Sequence, residues 1–325
     1  MTKQSTVKDI WRGIDKEFSQ AFKGSELYQL YQDHKDELII GVRNNYLNLY
    51  YNCDSIAKIE YLKTTGKFKC DIANYYLGDG KGRSQINPIE ICEQYNEITK
   101  QSYERATLEK KAQSKLVLLN NSNNDSKWYC IDVEYVKQFN NNMEKKEADF
   151  NARFDIIALS KNKPHRVALI ELKYGDKSIG GNSGIYKHIK DFSGFQKNEY
   201  FENHLRYEII EIVKSLKELE IYVPFELPKD EDLLVPEFYF ITLNNNSETG
   251  KTRTPKQNIA GYLFKDKRWN CTQLSNKYCV ENDFGDVTKK NNKFYATFLF
   301  STQKLDNLQI NDIIDGDYDE KIIPE

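Results

Sequence analysis

The stretch from Arg153 to Lys173 reads RFDIIALS, a short polar turn KNKPH, then RVALIELK. Two short apolar runs around a polar turn predict two strands joined as a hairpin. The turn, Ser160 to Arg166, is centred on Lys163. Asp155 stands 8 positions before that centre and Glu171 stands 8 after it (163 − 155 and 171 − 163). In an antiparallel pair without a bulge the two carboxylates face each other, with Cβ atoms about 5 Å apart. Lys173 is two residues beyond Glu171 and shares its face. Opposed like charges destabilise a sheet, and strand interiors rarely keep a charge without a partner. A divalent cation between Asp155 and Glu171 reverses the sign of that interaction.

Further elements follow on both sides. Upstream, Trp128 to Phe139 predicts a strand in which Asp132 and Glu134 alternate with Ile131, Val133 and Tyr135. Asn87-Pro88 suits a helix start, and the helix is expected to run to about Gln113, followed by a polar loop from Asn120 to Asp125. Downstream, the glycine-rich run Gly175 to Gly184 feeds a helix from Ile185 to about Glu202 that bears Lys187, His188 and Lys190. A second helix, Leu205 to Leu219, precedes an apolar strand, Phe238 to Leu243. The fold class is α/β, a mixed sheet whose order is helix, three strands, helix, strand.

Before residue 87, residues 7–35 read as helical with a break at Gly24-Ser25. Strands are expected at Leu38–Val42, Tyr46–Tyr51, Ile56–Leu62 and Phe68–Leu77. The run Gly78 to Ser84 lacks the G-x-x-x-x-G-K-[ST] spacing of a phosphate loop and reads as a connector. Three parts result: residues 1–86, a lobe of helix and antiparallel strands; 87–304, the core with added strands in 256–304 (Tyr262 to Phe264 and Phe294 to Phe300 among them); and 305–325, an acidic tail.

Asp155 followed by Glu171-Leu172-Lys173 resembles the D…(D/E)-x-K signature of the PD-(D/E)XK nuclease superfamily, and Arg153-Phe154-Asp155 resembles the G-R-[IF]-D stretch of its NucS-like and related bacterial branches. Phe154 stands where many members have Pro. The resemblance covers about Pro88 to Asn245. It implies a restriction-endonuclease-like αβββαβ core and Mg2+ (or Mn2+) held by Asp155, Glu171 and the backbone carbonyl of Leu172. It also implies that Lys173 orients water or stabilises phosphorane charge, and that the products are a 5′-phosphate and a 3′-hydroxyl. The expected activity is hydrolysis of nucleic acid, DNA first, in restriction, repair or anti-phage defence. The alternative is a catalytically silent nuclease fold that binds nucleic acid or serves assembly.

A fourth acidic residue often completes such sites. Glu134 is the first choice here, and Glu93 or Glu97 on the first core helix is the rival. Arg153 shares a strand side with Asp155 and suits either a phosphate or a salt bridge. His188, Lys187 and Lys190 could reach phosphate from their helix, and His188 equally suits packing. Lys161, Lys163, His165 and Arg166 form a basic hairpin tip, fit for backbone contacts or simply solvated.

The chain has 325 residues, 47 Lys and Arg against 49 Asp and Glu, and a net charge of −2, so nucleic-acid binding would need a local basic patch. Six scattered Cys without a CxxC pair predict reduced thiols rather than a zinc site or disulfide frame. The first residues show no apolar leader core and no run approaches a membrane span, so a cytoplasmic location is expected. No G-x-S-x-G or H-E-x-x-H occurs, which argues against serine-hydrolase and zincin chemistry. A second copy of the chain or a defence-complex protein is compatible as partner.

Overall fold

A computed structural model describes residues 10–137, 139, 150, 152–174, 185–243, 269–274, 277–282, 294–301, 309, 310 and 314; for 185–187, 189, 190, 193, 242 and 269–301 it describes the backbone alone. The Gly175–Gly184 run, Tyr262 to Phe264 and most of the acidic tail lie outside these residues. The chain is mixed α/β, with one antiparallel sheet and one mixed sheet. By internal contacts it divides into two units. The first takes in Met1–Leu118, Ile131–Val133 and Asn203–Asp232; the second takes in Leu119–Cys130, Glu134–Glu202 and Leu233–Glu325. The first unit therefore does not stop at residue 86. No helix among the described residues is long and apolar enough to cross a membrane.

In the first unit, α1 (Lys16–Lys23) begins where the Asp15 side chain accepts the Phe18 N–H, and it buries Phe18 and Phe22, one turn apart. After Gly24, Ser25 caps α2 (Glu26–Asp33). The helical reading of residues 7–35 thus holds only from Lys16, because residues 10–15 lie outside any helix. Trp11 there donates its N–H to Glu208 at 3.1 Å and Ile14 to the Ser215 hydroxyl at 3.2 Å.

Five strands follow in an antiparallel sheet in chain order: β1 (Leu38–Val42), β2 (Tyr46–Tyr51), β3 (Asp54–Leu62), β4 (Lys67–Ala73) and β5 (Arg83–Ile86). A 3-10 turn, Asn74–Leu77, replaces the end of the expected fourth strand and closes on Gly78 at φ +83°. The expected connector in fact supplies β5, which pairs with β4 and ties Arg83 to Asp71.

The single helix expected from Asn87 to Gln113 is three: α3 (Pro88–Glu93), α4 (Tyr95–Arg105) and α5 (Leu108–Ser122). Asn87 and Glu90 form a reciprocal capping box at the first. Thr107 accepts the Lys110 N–H at 3.3 Å and restarts the chain after Ala106. The third helix runs through Asn120, whose buried amide donates to the Trp128 carbonyl at 3.0 Å and accepts from the Ser126 hydroxyl at 2.7 Å. That polar residue caps structure; it does not open a loop.

The mixed sheet has the order β10-β11-β12-β9-β8-β7-β6. Its strands are β6 (Trp128–Val136), β7 (Arg153–Ser160), β8 (Val167–Tyr174), β9 (Glu237–Leu243), β10 (Trp269–Leu274), β11 (Lys277–Asn282) and β12 (Phe294–Ser301). β7 and β8 are antiparallel, β9 is parallel to β8, and β12 is parallel to β9. The chain passes from β8 to β9 through α6 (Ile185–Lys197), a π turn at Phe201–Leu205 and α7 (Arg206–Glu218). On α6, His188, Asp191, Phe192 and Phe195 follow the i, i+3, i+4, i+7 stripe. Phe192 stacks on Phe240 with ring centroids 5.1 Å apart and lies 5.3 Å from Phe238. Gly194 is required where α6 meets Phe150, since a Cβ there would stand 2.6 Å from the Phe150 Cβ.

Cys53, Cys70 and Cys130 are buried, Cys92 is partly exposed, and none of the four forms a disulfide among the described residues. Burial pushes the Cys70 thiol up to about 12 and also raises Cys130 and Cys92. The thiolate is the reactive form. Peptide mapping after iodoacetamide treatment at pH 8 is expected to show Cys53, Cys70 and Cys130 unlabelled in the folded protein and labelled after denaturation, with Cys92 reacting slowly. Rapid native labelling of Cys70 would contradict its burial.

Candidate functional site

The hairpin register is the expected one. Leu159 pairs with Val167, Ala158 with Ala168, Ile157 with Leu169 and Ile156 with Ile170, each pair summing to 326 about Lys163. The next step departs from it. Ile156↔Ile170 is the last pair of the ladder, and the Asp155 side chain takes over: Oδ2 accepts the Leu172 N–H at 2.7 Å. Phe154 turns toward α6, with ring centroids 5.1 Å from Phe192 and 5.3 Å from Phe195. Glu171 is on that same face, because it is in register with Phe240, on which Phe192 stacks. Asp155 therefore does not face Glu171 across a regular ladder. Its carboxylate lies in the plane of the sheet, where a backbone acceptor of β7 would otherwise stand. The residue between the two carboxylates is Leu172.

Glu171 and Lys173 sit side by side under α6, as two residues of one strand face must. Lys173 Nζ donates to Glu171 Oε1 at 2.6 Å, and His188 Nε2 stands 3.0 Å from the same oxygen. The Glu171 side chain is only 3% exposed and that of Lys173 6%. A carboxylate that deeply buried is unfavourable alone; here two nitrogen donors converge on one of its oxygens. His188, read equally as a phosphate contact or a packing residue, belongs to this cluster. Asp191, on α6 one turn further along the same stripe, is a buried carboxylate in addition to Glu171. It was not anticipated, and the only signal for it was its i+3 spacing from His188.

No family model matches the chain, and no curated protein or solved structure is significantly similar to it.

The remaining candidates are placed as follows. Leu172 is fully buried, and within a strand its C=O points to the same neighbouring strand as its N–H, the β7 side. Arg153 is exposed on β7. The backbones of Lys187 and Lys190 lie in α6; their side chains are outside the described residues. Glu93 and Glu97 are exposed on α3 and α4, where Glu97 accepts from Gln101 at 2.8 Å. Asp132, which shares strand parity with Glu134, is buried and committed to Arg43, whose Nη1 lies 2.8 and 2.9 Å from its two oxygens. The basic hairpin tip is structural at three of its four residues. His165 is buried with Nδ1 2.6 Å from the Ser160 carbonyl, Arg166 pairs with Glu237 at 2.7 Å, and Lys161 binds the carbonyls of Asn123 and Asn124, each at 3.1 Å.

Glu134 lies on β6, half-buried between buried neighbours, with φ +52°. A left-handed backbone inside a strand marks a bulge, and hydrogen bonds on either side of it agree. Lys161 N–H donates to the Lys127 carbonyl, and Lys137 N–H to the Ala152 carbonyl. From 127 to 137 β6 advances 10 residues while β7 retreats 9, from 161 to 152, so β6 holds one extra residue. Val133 shows where. Its N–H is taken by the Asp132 carboxylate at 2.9 Å and its C=O by Arg43 Nη2 at 2.8 Å. Beyond the bulge Tyr135 stacks on Phe154 at 5.6 Å.

Mg2+ takes oxygen ligands and keeps several waters. Asp155, Glu171 and the Leu172 carbonyl are oxygen donors, and their chemistry fits that cation. Among the described residues no three His, Cys, Asp or Glu side chains are grouped closely enough to hold a metal by themselves.

Proposed function

We propose that the chain is a metal-dependent nuclease of the PD-(D/E)XK type that hydrolyses phosphodiester bonds of DNA. The observation that supports it most is the buried Glu171–Lys173 pair on β8, with the Asp155 carboxylate fixed on the intervening Leu172 N–H. An arrangement of helix, three strands, helices and a fourth strand parallel to the third is in keeping with a restriction-endonuclease-like core.

In this reading Asp155, Glu171 and the Leu172 carbonyl hold Mg2+ or Mn2+, with Glu134 as the further acidic residue. A cation held there would lower the pKa of a water and offset charge on the attacked phosphate. Lys173 keeps an ammonium group within reach of the developing phosphorane charge. Its four-carbon stem lets it leave Glu171 for a phosphate oxygen. His188 fixes the Glu171 carboxylate from the helix side. Arg153 and the α6 lysines contact the polymer backbone.

The test is incubation of purified protein with single-stranded, duplex and branched DNA and with RNA, in Mg2+ or Mn2+. The expected result is cleavage of DNA that leaves 5′-phosphates and stops with chelator. A second reading, a silent nucleic-acid-binding fold, draws on the engagement of one Glu171 oxygen by both Lys173 and His188. Tight binding with no cleavage of any polymer would establish it instead.

A further inference from the structure

We propose that the loop of residues 78–82 in the first unit is a site for a phosphate group of a nucleic-acid strand, formed by its backbone amides with Lys81 and Arg105. This inference deepens the nuclease reading, on which the choice of a nucleic-acid phosphate rests. The backbone carries it. Gly78, Gly80 and Gly82 have φ of +83°, +78° and +106°, whereas Asp79 and Lys81 between them are not at positive φ. The sign of φ therefore alternates along the loop. Such alternation turns successive N–H groups to one side and makes a concavity that suits an anion. A tight turn needs one or two left-handed positions, not three in alternation. The glycines serve the backbone and not the packing, since a Cβ on Gly78 or Gly80 would meet nothing within 4 Å. The loop lacks the sequence of a phosphate loop, yet it presents its amides in a comparable way.

Asn74 closes the loop from one side. Its N–H donates to the Gly82 carbonyl at 3.0 Å, its Nδ2 to the Lys81 carbonyl at 3.3 Å, and its own carbonyl accepts the Asp79 N–H at 2.9 Å. A trans peptide points its N–H opposite to its C=O. With the Lys81 carbonyl turned to Asn74, the Gly82 N–H points the other way. This closure does not use the N–H groups of Gly80, Lys81 and Gly82. Residues 78–83 are all exposed, so a strand can reach them. Two cations are at hand. Lys81 is in the loop. Arg105, at the end of α4, sets its guanidinium 4.8 Å from the ring centre of Tyr75, in the 3-10 turn that leads into the loop. Stacking on the ring fixes the guanidinium plane and leaves its edge N–H groups for a phosphate oxygen. Arg83 is tied to Asp71 and adds little charge. The opposing carboxylates are Asp79 in the loop and Glu104, about 100° around the helix from Arg105. The amides bring no counter-charge and tip the balance toward an anion. An open loop offers a lone phosphate few partners, so useful affinity comes from the linked phosphates of a strand.

The experiment measures binding of labelled single-stranded and duplex DNA oligonucleotides to the full chain by fluorescence anisotropy, with chelator present to prevent cutting and over a range of salt. The variants are Lys81→Gln/Arg105→Gln, Gly80→Val and Gly80→Asn, each checked for folding by thermal unfolding. The double variant is expected to bind about tenfold more weakly, and its slope of log K against log salt to fall by about one. Gly80→Val cannot hold φ +78° without strain and is expected to weaken binding too. Gly80→Asn tolerates left-handed backbone and is expected to bind within about twofold of the parent. Parent-like affinity and salt slope in the double variant, or equal binding by Gly80→Val and Gly80→Asn, overturns the inference. Inorganic phosphate and a mononucleotide, titrated by calorimetry, form a second arm. If either binds the parent more tightly than the oligonucleotide does, and the double variant loses that binding, the site takes a free phosphate and the strand assignment is overturned. If the variants bind weakly as expected but the parent cuts no DNA with Mg2+ or Mn2+, the loop stands and the catalytic part of the nuclease reading fails. If the parent cuts and every variant binds as it does, the loop alone fails. A parent that binds no oligonucleotide overturns both.

Discussion

Lys173→Met is expected to cleave DNA at least about a hundredfold more slowly than the parent, the loss typical of removing one donor from a developing charge. Glu171 remains held by His188 in that variant. The double variant Glu171→Gln/Lys173→Met removes both buried charges together, so no ion is left stranded on β8. It is expected to unfold near the parent temperature and to show no cleavage above background. Asp155→Asn is the complementary test. Its amide oxygen can still accept the Leu172 N–H, so the 2.7 Å contact and the fold survive while a negative charge is lost. The check is single-turnover cleavage alongside thermal unfolding. Should Asp155→Asn and Lys173→Met both cut within about threefold of the parent, far inside the loss expected above, the site assignment is wrong.

The largest stability effect is expected at Arg43. Its guanidinium binds both oxygens of Asp132, the Tyr50 hydroxyl at 2.9 Å and the carbonyls of Val42 and Val133. Burial works against the cation, but the Asp132 carboxylate outweighs it and holds Arg43 above the ordinary arginine range. Arg12 Nε lies 4.0 Å from the same carboxylate. Gly41 makes room for the group, since a Cβ there would stand 2.7 Å from the Tyr50 ring and 2.9 Å from the guanidinium. Arg43→Met leaves Asp132 buried without its main partner, a change that costs about 3–5 kcal/mol. Arg43→Met/Asp132→Leu, which removes both charges, is expected to recover most of that loss in denaturant melts. A single variant within about 1 kcal/mol of the parent would show that Arg12 alone satisfies Asp132.

The hairpin was legible because its information is local. Two apolar runs and a polar turn about Lys163 determine the register, and the structure keeps it from Leu159 to Ile156. The turn of Asp155 into the sheet plane was not legible. It depends on Phe154 finding Phe192 and Phe195, on a helix that the chain reaches only after the glycine-rich run. The bulge was hidden for a related reason. An alternating run such as Ile131 to Tyr135 looks the same with or without an extra residue, and the clue lies in Arg43, 90 positions from Val133. Asp132 and Glu134 share a strand parity in the sequence; a left-handed backbone at 134 separates their fates. The helix from Asn87 was read too long because apolar periodicity continues across Ala106, while a single threonine hydroxyl begins a new helix. The basic hairpin tip illustrates the opposite error, since composition suggested a binding surface where His165, Arg166 and Lys161 secure the turn.

The division of the chain has a consequence for how it can fold and be dissected. The first unit draws on residues as late as Asp232, and the second already contains Leu119–Cys130. On the ribosome neither unit can complete itself before the other has begun. β9, the strand between β8 and β12, enters only after the α7 segment of the first unit has been made. Contacts this distant in sequence slow folding and expose unpaired strand edges meanwhile. A cut after residue 86 would separate β1–β5 from the helices grouped with them, so fragments of this protein are expected to aggregate where the whole chain does not. A single cut at an exposed loop, with both pieces expressed together, is the arrangement under which each unit could still assemble.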